Sequence, residues 1–114
     1  MDTDSAVMEP EVKTQTRSKP KRQPKYQVVL WNDEDHTYEY VICMLVELFA
    51  FTVERGFQCA KTVDAQGRCV LITTTLEHAE LKRDQIHAYG KDPSLKTSKG
   101  SMWATIEPVD EKND

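Results

Sequence analysis

The pattern of hydrophobic and polar residues predicts a strand and then a buried helix in the first part of the fold. Residues 26–31 end in an apolar run from Val28 to Trp31, which is typical of a short strand. Residues 38–50 instead place apolar side chains at helical spacing, and so wide a stripe predicts a helix that is largely buried. The stripe consists of Val41, Ile42, Met44, Leu45, Leu48 and Phe49.

Two further helices are predicted from their N-caps and from the apolar residues that would face the core, and the second of them is more polar and should lie on the outside. Thr52 is a suitable N-cap for a helix over 53–63, and Thr75 is a suitable N-cap for a helix over 76–89 that Gly90 ends. The residues predicted to face the core are Val53, Phe57 and Ala60 on the first of these helices and Ala79 and Ile86 on the second.

The two remaining strands are marked by turns and β-branched residues. A turn at residues 65–67 leads into a strand over 68–74, and a last strand covers 101–107 before Pro108 stops it. The order β-α-α-β-α-β contains no regular βαβ repeat. We therefore expect an α+β fold, with a small, mainly antiparallel three-stranded sheet packed against three helices.

Composition divides the chain into one domain and two polar ends. Residues 1–25 contain few apolar side chains and three prolines, so we expect a disordered arm there. The folded domain should cover 26–108, and a short acidic tail covers 109–114. The arm ends in a basic stretch with Lys13, Arg17, Lys19, Lys21, Arg22 and Lys25.

Charge and cysteine content narrow the classes of function. A net charge of −4 argues against general nucleic-acid binding by the folded part. We find no secretory signal and no apolar stretch long enough to span a membrane, and we expect a cytoplasmic protein. Cys43, Cys59 and Cys69 each lie in an apolar pattern, which predicts reduced thiols in the core.

The most unusual local feature is an acidic turn between the first strand and the first helix. Asn32, Asp33, Glu34 and Asp35 stand in succession there. Such side chains give a helix N-terminus anionic caps, but three carboxylates exceed what capping requires. Their mutual repulsion is a cost. A solvated acidic turn is the ordinary interpretation, and a functional role for the carboxylates is the alternative.

Several segments of the chain together resemble ClpS, the adaptor of the bacterial Clp AAA+ proteases. They are VVLWNDED, TYEYVICML, VERGFQCAKTVDAQGRCVL, TTLEHAELKRDQI and ATIEP, and they extend over about residues 26 to 108. The resemblance implies a non-enzymatic adaptor that holds the first residue of an N-degron substrate. It also implies docking on the N-terminal domain of a Clp AAA+ unfoldase, ClpA- or ClpC-like, to which the substrate is delivered.

The resemblance also assigns a pocket for the substrate's free N-terminus. Asn32 and Asp33 match the family's acceptor loop, which captures the α-ammonium, and an apolar hole takes the first side chain. The residues of this pocket by resemblance are Asn32, Asp33, Glu34, Asp35, Thr37, Tyr38, Val41, Val63, Asp64 and Met102.

This sequence departs from the family pattern at several pocket positions. The family runs Asn-Asp-Asp-x-Thr-Pro-Met, so that without gaps Glu34, Thr37 and Tyr38 replace Asp, Pro and the Met that gates the pocket. A shift of one residue would instead restore the Asp-x-Thr spacing with Asp35 and Thr37. Asp64 replaces a His that meets the α-amine, so the implied pocket is more anionic. The apolar wall changes as well, with Ala60 in place of a Met and Met102 in place of a Leu.

On the third helix, Glu77 and Lys82 match a Glu and a Lys that meet the Clp N-terminal domain. No motif in the sequence predicts catalysis, a cofactor or a metal site, since His36, His78 and His87 form no recognisable ligand set. Two alternatives remain. One is a divergent paralogue that docks on the unfoldase but reads another signal, and the other is a small RNA-interacting domain that uses the basic arm.

Overall fold

A computed structural model of the chain describes residues 24–109. The elements are β1 (Tyr26–Trp31), α1 (Tyr38–Phe49), α2 (Val53–Gln66), β2 (Arg68–Thr74), α3 (Leu76–His87) and β3 (Trp103–Pro108). The predicted order and the α+β class are confirmed. The predicted arm lies outside the described residues except for its last two, and so does the predicted tail except for residue 109.

The three strands form an antiparallel sheet in the order β2-β1-β3. A side-chain hydrogen bond reinforces the pairing of β1 with β3, because the Trp31 indole Nε1 donates to Thr105 Oγ1 at 2.8 Å. Strand β3 starts later than predicted and includes Pro108, which pairs with Tyr26. A proline is tolerated at this position because β3 is an edge strand.

One hydrophobic core fills the space between the sheet and the helices. Helix α1 packs on α2, α2 packs on β2, and α3 packs on β3 and β1. The members of the core include Val28, Leu30, Leu71 and Ala104 from the sheet, Val41, Met44 and Leu45 from α1, Cys59, Ala60 and Val63 from α2, and Ala79 and Ile86 from α3. The predicted stripe on α1 is thus buried at its centre.

The N-terminus of α1 differs from the prediction of anionic caps. Thr37 is the N-cap, and its Oγ1 accepts a hydrogen bond from the Tyr40 backbone N–H at 3.1 Å. The acidic residues stand before the cap, so the prediction that they cap the helix is wrong. Thr52 and Thr75 cap α2 and α3 as predicted.

Helix α2 is longer than predicted and presents a different face to the core. It continues through residues 65 and 66, which had been predicted as a turn, and ends at Gly67, which has φ 87°. This left-handed backbone conformation favours glycine and closes the helix there. Val53 and Phe57 are exposed, so their predicted core positions are wrong, whereas Ala60 is buried.

The prediction that all three cysteines are core thiols is wrong for Cys43. Cys59 is buried, Cys69 is half-buried and Cys43 is exposed, and all three are free. Cys43 lies four residues from both Glu39 and Glu47 on α1. That spacing puts it on the solvent-facing side of the helix with the two glutamates.

Candidate functional site

The acidic turn is held to α2 at one end and folded back on itself at the other. The Asn32 backbone N–H donates to the Gly67 carbonyl at 3.0 Å, which brings the start of the turn to the C-terminal end of α2. Asp33 Oδ1 accepts from the Asp35 backbone N–H at 2.9 Å. The turn therefore has a defined backbone shape, although the side chains of Asn32 and Glu34 are exposed.

His36 joins the acidic turn to the loop that precedes β3. Its Nδ1 lies 2.7 Å from Asp33 Oδ1, its Nε2 lies 2.7 Å from the Gly100 carbonyl, and its side chain is only 3% exposed. A neutral imidazole has one N–H and can donate to one of these acceptors at a time, whereas the protonated ring can donate to both. Among the predicted site residues, Asp33 is therefore oriented by a histidine that the resemblance did not single out.

Asp92 fixes the first turn of α1 from the other side. Asp92 Oδ2 accepts from the Thr37 backbone N–H at 2.7 Å and from Thr37 Oγ1 at 2.9 Å. Its Oδ1 accepts from the Ser94 backbone N–H at 2.9 Å and from Ser94 Oγ at 2.6 Å. Burial of this side chain would by itself raise the pKa of Asp92, but the bonds from Ser94 and Thr37 outweigh it and hold the pKa below its ordinary value.

Neither His36 nor Asp92 was assigned a role from the sequence. Asp92-Pro93-Ser94 does carry a local signal, because an aspartate two residues before a serine favours an Asx turn. That signal predicts the bonds to Ser94 but not those to Thr37, which lies 55 residues away in sequence.

Tyr38 and Asp64 form a direct pair across the gap between α1 and α2. The Tyr38 hydroxyl donates to Asp64 Oδ2 at 2.8 Å. This bond raises the pKa of Tyr38 from its ordinary value, with smaller contributions in the same direction from burial and from the charge of Asp64. Asp64 is exposed in the last turn of α2, so its carboxylate is within reach of a cation from solvent.

The apolar residues assigned to the pocket are core residues in this structure. Val41, Val63 and Met102 are all buried and belong to the same hydrophobic cluster, together with Ala60. They lie beside the polar positions in sequence, with Val63 next to Asp64 and Val41 one turn after Tyr38. The buried apolar cluster thus begins next to Asp64 on α2 and one turn after Tyr38 on α1.

The predicted site residues fall into separate groups. Tyr38 and Asp64 form one pair, Asp33 bonds to His36, and Thr37 bonds to Asp92. Within residues 24–109, no hydrogen bond or ion pair joins the Asp33 carboxylate to Asp64. The side chains of Glu34 and Asp35 likewise make none there, so the structure does not choose between the two alignments of the turn.

Two surface grooves lie close to this region but outside the predicted pocket. One, of about 730 Å³, lies between α1 and the start of α2 and includes Ile42, Val53 and Phe57. The other, of about 520 Å³, lies between α1 and the loop after α3 and includes Glu39 and Tyr89. Neither groove is lined by Asp33, Asp64 or Met102.

The two residues assigned to docking differ in how free their side chains are. Glu77 is exposed in the first turn of α3. Lys82 is half-buried, its Nζ donates to the Leu48 carbonyl, and it lies 5.3 Å from the centroid of the Phe49 ring. Because α1 has no basic residue of its own in its last turn, Lys82 supplies the cation that favours a helix C-terminus.

Over residues 24–109, His, Cys, Asp and Glu form no group of three or more that could hold a metal ion. No helix of the same part of the chain has the length and apolar character needed to cross a membrane.

Comparison with known proteins gives consistent similarities. The family described as "ATP-dependent Clp protease adaptor protein ClpS" matches residues 21–97. The chain is 38% identical over 85 residues to the ATP-dependent Clp protease adapter protein ClpS of Edwardsiella ictaluri, covering 75% of this chain and 80% of that protein. It is 34% identical over 94 residues to the protein of the same name from Pectobacterium carotovorum, covering 81% and 89%.

A solved structure is also similar to this chain. It is that of Agrobacterium tumefaciens ClpS2 bound to L-phenylalaninamide, with a TM-score of 0.67 and 25% sequence identity. The match covers 77% of this chain and 100% of the other.

Proposed function

The chain belongs to the ClpS family of ATP-dependent Clp protease adaptors, and on that premise we propose that it binds the N-terminal residue of N-degron substrates and delivers them to a Clp unfoldase and protease. The relative ClpS2 binds L-phenylalaninamide, which has a free α-amine and a large apolar side chain. We propose that the ligand of this chain has the same two features, an ammonium group and a large apolar side chain next to it.

One observation carries the proposal, namely an exposed carboxylate in front of a buried apolar cluster. Asp64 stands at the surface, and the neighbouring Val63 is part of the core. A free α-amine has a reference pKa near 7.7–8.0 and is mostly protonated at pH 7, so it would donate a charge-assisted hydrogen bond to Asp64. An acetylated or internal residue has no such charge, which gives the site a physical basis for recognising a terminus.

The acidic turn would provide the remaining acceptors of this site. Asn32 is brought to the C-terminal end of α2 by its bond to Gly67, and the backbone of the turn is shaped by Asp33 and His36. We assign the exposed side chains of Asn32 and Glu34 to the rim that the substrate's first peptide groups meet. Val41, Val63 and Met102 are assigned to the wall that receives the first side chain.

The partner follows from the family, and its docking surface is a proposal. ClpS adaptors act with a Clp protease, and we assign docking to the N-terminal domain of the unfoldase and, on this chain, to Glu77 and Lys82 of α3. We infer that the chain has no catalytic activity of its own, as an adaptor needs none. We assign it to the cytoplasm, where an ATP-dependent partner works and where its three free cysteines would stay reduced.

A peptide array tests the proposal and separates it from the divergent-paralogue alternative. The array presents one sequence with each of the twenty residues at a free N-terminus, and the same peptides acetylated, at two salt concentrations. We expect binding to a subset with free termini and weaker binding at high salt, because salt screens the carboxylates. Retention of the unfoldase domain without binding to any free terminus would instead support the paralogue that reads another signal.

A further inference from the structure

The acceptor assigned to the substrate's ammonium already has a donor within the chain. The Tyr38 hydroxyl bonds to Asp64 Oδ2 at 2.8 Å, and this bond connects the first residue of α1 with the last turn of α2. Both residues are at the surface, with Tyr38 38% exposed. The bond is therefore solvent-exposed, whereas Val63, next to Asp64, and Val41, one turn after Tyr38, belong to the buried cluster.

The Tyr38 ring is held in place at a second point. Its centroid lies 5.9 Å from that of Phe57, at an interplanar angle of 61°, which is an edge-to-face contact. Phe57, Ala60 and Asp64 follow one another at spacings of three and four on α2, so they share one face of that helix. Tyr38 thus contacts both ends of this row, and the residue between them, Ala60, has only a methyl group.

We propose that Tyr38 is a latch, whose hydroxyl occupies Asp64 and whose ring covers the apolar cluster until a charged N-terminus displaces it. The inference rests on the function proposed above, because it concerns the same site, and it adds a competitor that belongs to the protein itself. It explains why Val41, Val63 and Met102 are buried and why neither surface groove includes them.

The competition has a definite direction. The phenol is a neutral donor, whereas an α-ammonium is a charged donor to the same carboxylate and forms the stronger bond. A ligand with a free amine can therefore open the latch. The apparent dissociation constant of the ligand equals its intrinsic dissociation constant divided by the fraction of molecules in which the latch is open.

The test removes the hydroxyl and keeps the ring. Tyr38→Phe preserves the contact with Phe57 but leaves Asp64 without its internal donor. The matched control is Tyr89→Phe, because the Tyr89 hydroxyl also donates to a carboxylate, Glu47 Oε1 at 2.8 Å, outside the proposed site. Calorimetry would measure the affinity of L-phenylalaninamide and of its N-acetyl derivative for the full-length wild type and for both variants.

The latch predicts that Tyr38→Phe binds L-phenylalaninamide about twofold to tenfold more tightly than the wild type, as expected for one exposed hydrogen bond removed from the competition. Tyr89→Phe should bind like the wild type, and neither variant should bind the acetylated compound more tightly. Unchanged or weaker binding of phenylalaninamide by Tyr38→Phe would overturn the latch while leaving the proposed function intact. No binding of any free amine by wild type or variants would refute both.

A measurement without ligand tests whether the bond itself exists. The pKa of the Tyr38 phenol is raised by its bond to Asp64. Asp64→Asn should therefore lower the pKa of Tyr38, observed by NMR of the ring carbon that bears the hydroxyl, whereas the pKa of Tyr89 should stay unchanged. An unchanged pKa of Tyr38 in this variant would overturn the latch regardless of any result with ligands.

Discussion

Asp92→Asn is the substitution for which the structure gives the clearest magnitude. The Asp92 side chain is buried and accepts four hydrogen bonds, two from Thr37 and two from Ser94. An asparagine keeps one acceptor oxygen, so its NH₂ group must face the two donors of one of these residues. The hydroxyl of that pair can rotate away, but the backbone N–H cannot.

The cost of this change follows from the unpaired donors. Ser94 is exposed and Thr37 is half-buried, so water can reach a donor that is left unpaired. Its cost therefore lies in the lower part of the range of about 1–3 kcal/mol for a buried donor, and the bonds that remain lose the contribution of the negative charge. We expect Asp92→Asn to lower the free energy of unfolding by about 1–2 kcal/mol at pH 7. For a domain of this size, that corresponds to a fall in Tm of about 5–15 °C.

Urea unfolding followed by tryptophan fluorescence would measure the change. The control is Asp84→Asn, because Asp84 is exposed on α3 and, among residues 24–109, its side chain pairs only with its neighbour Arg83 at 3.0 Å. That variant should change the free energy of unfolding by less than about 0.5 kcal/mol. If Asp92→Asn proves as stable as this control, the four bonds do not hold the first turn of α1 as described.

The effect of Asp92 should also depend on pH in one direction. Its pKa is lowered in the folded state, so the folded protein binds its proton more weakly than the unfolded chain does. The resulting stabilisation is fully present above the unfolded pKa of about 3.9 and is lost as the pH falls below it towards the folded pKa. The difference in stability between wild type and Asp92→Asn should therefore shrink below about pH 4, and a constant difference would contradict the cause assigned to the shift.

Three further predictions concern docking, delivery and the amine acceptor. Glu77→Lys and Lys82→Glu should both abolish retention on an immobilised Clp N-terminal domain. Only Lys82→Glu should also destabilise the fold, by about 1 kcal/mol, because the native Lys82 ammonium bonds to the Leu48 carbonyl at the C-terminus of α1. Full retention of both variants would reject the docking assignment. Removal of residues 1–23 should leave peptide affinity unchanged, because every proposed site residue lies later in the chain. It should slow substrate degradation by the protease. Degradation at the full rate would argue against a role of residues 1–23 in delivery. In calorimetry at two salt concentrations, Asp64→His should still bind free N-termini, but with a weaker salt dependence than the wild type. Asp64→Leu should lose most binding. An Asp64→Leu protein with wild-type affinity would place this residue outside the amine site.

Much of the fold is predictable because its signals are local. Apolar spacing, β-branched residues and turn residues together identified all six elements, and Thr52 and Thr75 marked the starts of two helices through the ordinary chemistry of N-caps. The errors arise where two local signals compete. Residues 65 and 66 resemble a turn next to a glycine, yet α2 runs through them because Gly67 takes the left-handed conformation that ends a helix.

The errors in burial have a different cause. Phe57 is apolar at helical spacing but is 41% exposed, since the row of α2 that faces the core is the one with Gly56, Cys59 and Val63. A Cβ at Gly56 would lie 3.4 Å from Ile42 Cα, so this glycine sets how closely α1 and α2 approach. Which row faces inward thus depends on the neighbouring helix, and periodicity alone gives no information about that.

The site was predictable residue by residue only as far as the family resemblance extends. The resemblance assigned Tyr38 and Asp64 to the same pocket, but it gave no reason to expect a hydrogen bond between them. The contacts of His36 with Gly100 and of Asp92 with Thr37 join residues 64 and 55 positions apart. Such contacts follow from the packing of loops in three dimensions, and a single sequence does not record them.

Recognition of a free N-terminus is the central claim, and one calorimetric comparison tests it most directly. The full-length protein would be titrated with two peptides that begin with phenylalanine and differ only in whether the terminal amine is free or acetylated. We expect the free peptide to bind at least about tenfold more tightly, because only its ammonium can form a charge-assisted bond to Asp64. Equal affinity for the two peptides, or no binding of the free one, would contradict the proposed function.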